Sequence, residues 1–171
     1  ADIDGSIRFV ENVDYATTNN MESCRLALEA RTEDGPSLIL NADCVYSDAI
    51  IAEIVSTECS CIAADTGVYV EENMKVRLEG GFVRDISKAI PAGADVATSI
   101  DLYSFRPADL SCLLSFMQEF HSRGDLNQWT EVAIAALVRN SEVGIVDIAG
   151  EAWIEIDNLD DLRVANSLFP A

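Results

Sequence analysis

Lysine and histidine are scarce in this sequence. The 171 residues include two lysines, Lys75 and Lys88, one histidine, His121, and 30 acidic residues, so that the net charge is -19 at neutral pH. A surface with this charge repels the phosphates of nucleic acids and the anionic face of membranes. We therefore expect neither a nucleic acid nor a membrane among the partners of the protein.

Long apolar runs are also missing. No stretch approaches the roughly 20 apolar residues that a helix needs to cross a bilayer. The first residues, Ala1–Gly5, are acidic and lack the basic and then apolar order of a secretory signal. These two features lead us to expect a cytoplasmic protein.

Cysteine occurs five times, but no two cysteines have the C-x-x-C spacing of a zinc site. With a single histidine in the chain, the residues for a tetrahedral zinc centre are not available. We expect the cysteines to be buried, reduced thiols.

The excess of acidic residues over lysine resembles the composition of halophilic proteins. Mutual repulsion of the carboxylates destabilises a compact chain unless salt screens it. The alternative is an acidic protein from an ordinary environment, and the two interpretations differ in the expected response to KCl.

Apolar residues make up 49% of the chain, which suffices for a globular core, and we find no repeats or linkers. We therefore predict a single domain over residues 1–171. The first part alternates between strand and helix patterns, and this order predicts a mainly parallel α/β sheet. The predicted elements are a strand at Ser6–Val10, a helix after Thr17–Asn20, a buried strand at Ser37–Asn41, a helix capped by Ser47 and a strand at Cys59–Ala64.

The second part begins with a predicted hairpin. Two alternating segments flank Gly80-Gly81, a typical pair for a tight hairpin turn. The predicted elements that follow are a strand at Val96–Phe105, a helix from Pro107, a helix at about Asn127–Val138, a strand at Glu142–Ile148, a short buried strand at Trp153–Ile156 and a helix capped by Asn158.

Two acidic residues lie at the ends of predicted strands. Asp43 comes after the strand at Ser37–Asn41, and Asp157 comes after the strand at Trp153–Ile156. Open α/β sheets bind ligands at the carboxyl ends of their strands, and paired carboxylates suit Mg²⁺. The sequence therefore predicts a magnesium site at Asp43 and Asp157. The alternative for each residue is a helix cap at the end of a strand.

Five segments together resemble the nucleotidyltransferase family, and in particular the phosphocholine cytidylyltransferases and sugar-phosphate nucleotidyltransferases. Residues 15–23 resemble its Y-x-x-T-N-N-x-x-S motif, and Leu38–Val45 is similar to its L-L-x-G-D-V-V strand. Residues 74–88 resemble its hairpin, residues 127–131 its Y-Y-E-D segment, and Trp153–Leu162 its W-x-E-I-D-T-P-E-D-L motif.

The resemblance implies a three-layer α/β/α fold, a Rossmann-like mixed sheet of the nucleotide-diphospho-sugar transferase type. It implies transfer of a nucleotidyl group, with CMP from CTP favoured over UTP or GTP, to a small phosphorylated alcohol, phosphonate or sugar. Asp43 and Asp157 would hold Mg²⁺ in this reaction.

The resemblance also assigns roles to other residues. Lys88 would contact the acceptor phosphate, and the alternative is a solvated lysine. Asn20 and Ser23 would lie in the acceptor pocket, although both are equally suited to capping a helix. Trp129 and Glu131 would form a corner for a cationic amine, although a tryptophan in a helix often belongs to the core.

The glycine-rich G-x-G-x-R loop with which this family opens has no counterpart in residues 1–171. We therefore expect the N-terminal strands of the fold to be missing and the chain to be inactive alone. The missing strands either lie outside residues 1–171, or are supplied by a partner chain or covered in a homo-oligomer. The alternative function is a degenerate, inactive domain that binds a ligand or a partner.

Overall fold

The computed structural model describes residues 7–170 of the chain. In chain order its elements are α1 (Asn20–Glu29), β1 (Ser37–Leu40), β2 (Cys44–Tyr46), α2 (Asp48–Ser56), β3 (Cys61–Thr66), β4 (Lys75–Glu79), β5 (Phe82–Ser87), β6 (Val96–Phe105), α3 (Pro107–Ser122), α4 (Thr130–Val138), β7 (Gly144–Asp147), β8 (Trp153–Glu155) and α5 (Leu159–Leu168). None of these helices has the length and apolarity that crossing a membrane would require.

Strand β6 is the centre of the larger sheet, which has the order β5-β4-β6-β3-β7 with β1 also paired to β6. One edge of β6 pairs with β3. The other edge pairs with β4 over residues 96–98 and with β1 over residues 102–105. A gap therefore remains between β4 and β1 at residues 99–101, and the candidate site described below lies next to it.

The sheet is mixed, as predicted, but the prediction of a mainly parallel sheet is wrong. Within the described residues, β3 and β7 form the parallel pair, and the other strand pairs are antiparallel. Strands β1 and β3 do run in the same direction, but β6 lies between them and runs the opposite way. The local pattern of apolar residues predicted the strands and not which of them become neighbours.

Helices cover both faces of the sheet because side chains alternate along each strand. On β3, Ile62 and Ala64 pack in the core formed with α1, α3 and α4. Cys61 and Ala63 face the other side, where α2 contributes Ile50. The result is the expected three-layer arrangement.

The predicted hairpin is present, and its turn explains the glycine pair. Gly80 and Gly81 have φ angles of 61° and 85°, values that L-residues with side chains rarely adopt. Such a turn matches the right-handed twist of the paired strands β4 and β5.

Three strand predictions need correction. Ser6 lies outside the described residues, and residues 7–10 form no strand. No strand of the described chain pairs with them, and Phe9 is 92% exposed. Strand β1 is present but only half-buried, because it lies at an edge of the sheet and Leu40 is 48% exposed. Strand β8 is likewise half-buried where a buried strand was predicted.

The cysteines are less uniform than predicted. Cys61 is buried, Cys24 and Cys44 are half-buried, and Cys59 and Cys112 are exposed. The prediction of buried thiols is therefore wrong for Cys59 and Cys112, which lie on the solvent side of their segments.

Candidate active site

A small second sheet brings three carboxylates together. Strands β2 and β8 pair with Cys44 opposite Glu155, and the N–H of Ile156 donates to the carbonyl oxygen of Asp43 at 2.9 Å. This pairing places Asp43 beside the end of β8. Carboxylate oxygens of Asp43, Glu155 and Asp157 lie within 4.8 Å of one another. We call these three residues the acidic triad.

The helices next to the acidic triad are capped by other residues. Helix α5 is capped by Asn158, whose side chain accepts from the N–H groups of Asp160 and Asp161, and Asp161 completes a capping box. Helix α2 is capped by Ser47. Neither Asp43 nor Asp157 provides the side-chain cap of α2 or α5. The alternative prediction that these two residues are helix caps is therefore wrong.

The donor set of the triad fits a hard divalent cation. Mg²⁺ binds oxygen ligands at about 2.0–2.1 Å, which places those oxygens within roughly 4.2 Å of one another. The spacing in the triad is compatible with that geometry, and Asp43 and Asp157 are exposed while Glu155 is half-buried. Asp43, Glu155 and Asp157 are therefore the residues that would hold such an ion.

Glu155 was not among the site residues that the sequence suggested. The signal that would have found it is its spacing from Asp157, because residues i and i+2 of an extended segment share a face. Burial raises the pKa of the Glu155 carboxyl, and the neighbouring Asp101, Asp157 and Asp43 raise it further. A cation in the triad would relieve this repulsion.

A cleft of about 200 Å³ adjoins the triad. Its lining is strongly polar: Asn19, Asn20, Asn41, Asp43, Asn73, Met74, Lys88, Asp101, Trp129, Glu131 and Glu155. Pockets for drug-sized ligands typically have about 300–1,000 Å³. The cleft therefore has the size for a small polar molecule.

The structure brings together most of the residues that the sequence suggested. Asp43, Lys88, Asn20, Trp129 and Glu131 line the cleft. Asp157 adjoins it through the acidic triad.

Ser23 does not lie in this cleft. It lines a separate, largely apolar groove between α1 and β1, and its hydroxyl accepts from the side-chain amide of Asn12 at 3.0 Å. The structure thus separates Ser23 from the other predicted site residues.

Asn20 has a structural contact as well as a place in the cleft. Its side-chain oxygen accepts from the N–H of Thr130 at 2.8 Å, and Thr130 is the first residue of α4. The contact joins the starts of α1 and α4. It also satisfies one of the N–H groups that a helix start leaves unpaired.

The two lysines have different surroundings. Lys75 is fully buried, and its ammonium group donates to the carbonyl oxygen of Glu71 at 2.6 Å. Lys88 is exposed and lies over the ring of Trp129, with 5.2 Å between its Nζ atom and the ring centroid. Among the residues that line the cleft, Lys88 is the one cation.

Trp129 is not a core residue. It occupies the N-cap position of α4, which starts three residues later than the predicted boundary at Asn127. Its side chain is 44% exposed. The ring therefore forms part of the wall of the cleft.

Asp101 is a site residue that sequence reasoning missed. It lies in the bulge where the register between β3 and β6 shifts, opposite the gap between β4 and β1. Its φ angle is 58°, a left-handed conformation that Asp and Asn adopt more readily than most residues. Asn41 donates to its carboxylate at 3.3 Å. No local sequence pattern marks such a bulge.

Tyr103 connects Asp101 with Glu131. Its hydroxyl lies 2.9 Å from Asp101 Oδ1 and 2.9 Å from Glu131 Oε1. A hydroxyl has one hydrogen, so it can donate to only one of the two carboxyl groups. The other carboxyl group either is protonated and donates to the hydroxyl oxygen, or its oxygen and the hydroxyl oxygen repel each other. Burial raises the pKa of Asp101 to about 6, and Glu131 adds to the increase. Burial also raises the pKa of Glu131.

Cys44 is next to Asp43, but it is not suited to act as a nucleophile. Burial raises the pKa of its thiol to about 12. The reactive form of a cysteine is the thiolate, which is scarce at neutral pH in this environment.

The architecture of the described residues corresponds to that of solved nucleotidyltransferases. The solved structures with the same fold include CTP:phosphocholine cytidylyltransferase from Streptococcus pneumoniae, with a TM-score of 0.70 and 17% identity over 95% of this chain and 68% of that one. The inositol-1-phosphate CTP transferase from T. maritima has a TM-score of 0.73 and 16% identity over 93% of this chain and 64% of that one.

Two curated relatives resemble the chain in sequence, and no protein-family model matches it. A bifunctional IPC transferase and DIPP synthase from Rubrobacter xylanophilus is 30% identical over 95% of this chain and 36% of its own length. The CMP-5'-(3-aminopropyl)phosphonate synthase from Streptomyces rubellomurinus is 28% identical over 95% of this chain and 27% of its own length. The chain spans about a third of the length of these relatives. The resemblance to nucleotidyltransferases is thus confirmed in sequence and in fold.

Proposed function

We propose that the chain takes part in a magnesium-dependent transfer of CMP from CTP to a small acceptor that carries a phosphate or phosphonate. The observation that carries the proposal is the acidic triad of Asp43, Glu155 and Asp157 beside a polar cleft with one lysine. The names of the relatives, which include a CMP-phosphonate synthase and two CTP-using transferases, support the choice of CTP.

In this reaction an oxygen of the acceptor's phosphate or phosphonate attacks the α-phosphorus of CTP. A new P–O bond forms, the bond from the α-phosphorus to the oxygen that bridges to the β-phosphate breaks, and pyrophosphate leaves. Such transfers depend on positioning and on charge neutralisation. A magnesium ion held by the triad would supply the positive charge that offsets the charge on the phosphates.

The residues of the chain position the acceptor. Lys88 is exposed at the cleft and faces the approach of an anionic group. A lysine binds phosphate as a compact point charge. Asn20, Trp129 and Glu131 form the remaining wall against which the rest of the acceptor would lie.

The test is an assay of the product of the complete gene with CTP, MgCl2 and three acceptors: phosphocholine, inositol 1-phosphate and 3-aminopropylphosphonate. We expect a CMP adduct by mass spectrometry together with released pyrophosphate, and slower reactions with UTP or GTP. Asp43→Asn should slow the transfer by about two orders of magnitude or more, while the exposed Glu53→Gln on α2 should leave it unchanged.

Acceptor binding without an adduct from any nucleotide would contradict the proposed transfer. That result would favour the alternative of an inactive binding domain.

A further inference from the structure

A small cavity lies at the end of the sheet away from the acidic triad. It has a volume of about 190 Å³ and is formed by the start of β1, the end of β6 and residues at the end of α2. Ser37, the first residue of β1, lines it, whereas Asp43 follows the end of that strand. No residue that lines this cavity also lines the polar cleft.

The guanidinium group of Arg106 lines the cavity and is incompletely bonded. Its Nη2 atom donates to the carbonyl oxygen of Thr57 at 3.0 Å. Its Nε atom is the one fully buried side-chain nitrogen or oxygen of the described residues that has no hydrogen-bond partner. Within residues 7–170, Arg106 forms no ion pair of 4.0 Å or less. A half-buried cation without a counter-charge is costly unless water or a ligand compensates it.

Hydroxyl groups share the cavity with Arg106. They belong to Ser37, Thr57 and Ser104. Ser104 is 6% exposed, and its hydroxyl bonds to no other group of the described chain. Thr57 differs, because its hydroxyl already donates to the carbonyl oxygen of Glu53 at 2.9 Å. Arg106 and Ser104 therefore offer the cavity donors that still lack an acceptor.

The local charge favours an anion, although the net charge of the chain is -19. A second cavity adjoins the first at Ser37 and is lined by Arg8 and Arg31, neither of which forms an ion pair within residues 7–170. Among the residues that line the two cavities, three arginines are cationic and Glu33 is the one acid. Such a cluster attracts anions to a place on an otherwise acidic surface.

The remaining walls of the first cavity are apolar. They are formed by Pro36, Leu38 and Val55. Apolar walls suit a hydrocarbon and leave the additional oxygens of a phosphate without donors. A guanidinium group matches the geometry of a carboxylate, and its single positive charge balances a single negative one.

We propose that this cavity binds a small aliphatic monocarboxylate. The guanidinium of Arg106 and the hydroxyl of Ser104 bind the carboxylate, and the hydrocarbon lies against Leu38 and Val55. The site is separate from the polar cleft, and the inference does not depend on the proposed function.

The experiment measures binding to the product of the complete gene by calorimetry at one fixed KCl concentration, so that screening and competition by chloride stay the same. The probes are sodium butyrate, butyramide and inorganic phosphate. Butyramide has the shape of butyrate without its charge, and phosphate has the charge without the hydrocarbon. We expect butyrate to bind about tenfold or more tightly than either, the range for hydrogen bonds to a charged group.

Three variants locate the binding site. Arg106→Gln should weaken butyrate binding by about tenfold or more, and Ser104→Ala by about threefold to tenfold. Ser104→Ala should fold normally, because the hydroxyl that it removes has no partner in the described chain. Arg31→Gln, which changes the second cavity alone, is the matched control and should bind butyrate within about twofold of the unmodified protein.

The other outcomes would overturn the inference. Equal binding of butyrate and butyramide, or no binding of either, would mean that water alone occupies the cavity. Tighter binding of phosphate would exclude a monocarboxylate site. A loss of affinity in Arg31→Gln without one in Arg106→Gln would place the anion in the second cavity. If Arg106→Gln does not fold, Ser104→Ala and the three probes still decide the question. The proposed transfer is unaffected by any of these results, because the cavity and the cleft share no residue.

Discussion

The ammonium group of Lys88 lies 5.2 Å from the centroid of the Trp129 ring. The two residues come from segments 41 positions apart, and both line the cleft. The contact keeps a cation at the mouth of an otherwise acidic pocket. It also fills the aromatic face that the sequence suggested for a cationic ligand.

Replacing this lysine tests its function at the cleft. Lys88→Met should weaken the binding of propylphosphonate by about tenfold to a hundredfold, because it removes a charged donor to the anion. It should also change the fluorescence of Trp129. Arg84→Met is the matched control, since Arg84 has a similar contact with Phe82 on strand β5. Unchanged phosphonate affinity in the Lys88 variant would show that this lysine is merely solvated.

Binding of a divalent cation tests the acidic triad. Asp43→Asn or Asp157→Asn should weaken Mn²⁺ binding by about tenfold or more, because each removes a charged oxygen ligand. Calorimetry or electron paramagnetic resonance measures this affinity directly. Asp160→Asn, in the first turn of α5 but outside the triad, should bind Mn²⁺ as the unmodified chain does. Equal affinities in all the variants would exclude the triad as the metal site.

The raised pKa of Asp101 predicts how stability changes with pH. Its value in the folded protein is about 6, against 3.8 in an unperturbed carboxyl. Between these values the folded state holds a proton that the unfolded chain has lost, so the contribution to stability is present below about pH 4 and is lost as the pH rises through 6. Asp101→Asn lacks this titration.

Urea unfolding of both proteins measures the effect. From pH 4 to pH 7, the stability of Asp101→Asn relative to the unmodified chain should increase by on the order of 1 to 2 kcal/mol. A constant difference over this range would mean that Asp101 titrates normally. Comparing the two proteins at each pH cancels the titration of the carboxyls that do not interact with Asp101.

The contact between Asn20 and Thr130 predicts a structural effect. Asn20→Ala should lower the free energy of unfolding by about 1 kcal/mol, because the N–H of Thr130 loses its acceptor at the start of α4. Asn20→Asp keeps an oxygen in that position and should retain most of the stability. Chemical denaturation of the three proteins provides the comparison. A loss of acceptor affinity in the folded alanine variant would show that Asn20 also binds the ligand.

The net charge of -19 makes the halophilic interpretation testable. Screening of the carboxylates by KCl should raise the melting temperature steadily up to molar concentrations. A thermal melt in dilute buffer should show the chain partly or fully unfolded. A melting temperature that does not change with KCl would instead indicate an acidic protein without salt dependence.

Local sequence signals predicted most of the elements correctly. The glycine pair at 80 and 81 located the hairpin, and Ser47 and Asn158 marked the starts of two helices, because caps and turns are determined by a few adjacent residues. The short strand β2 was missed, since three residues carry too little pattern to be distinguished from a loop. The segment at residues 7–10 had a strand pattern but finds no partner strand within residues 7–170.

The residues of the candidate site also divide into those that the sequence suggested and those that it missed. Lys88 and Glu131 were recognised because they lie in segments that resemble those of a known family, and Asp43 also because it lies at the end of a predicted strand. Asp101 was not recognised, because the register of β6 against β3 gives it its position. Glu155 was missed although it lies in the W-x-E-I-D segment, because the pairing of β2 with β8 is what brings it beside Asp43.

The sequence by itself determined the helices, the hairpin, the charge of the surface and the family that the chain resembles. Each of these depends on residue type or on neighbours within a few positions. The tertiary structure decided the antiparallel neighbours of β6, the meeting of the acidic triad, and the sharing of Tyr103 by Asp101 and Glu131. These relationships join residues far apart in the chain, and strand pairing and core packing select them among many arrangements that the same local pattern allows.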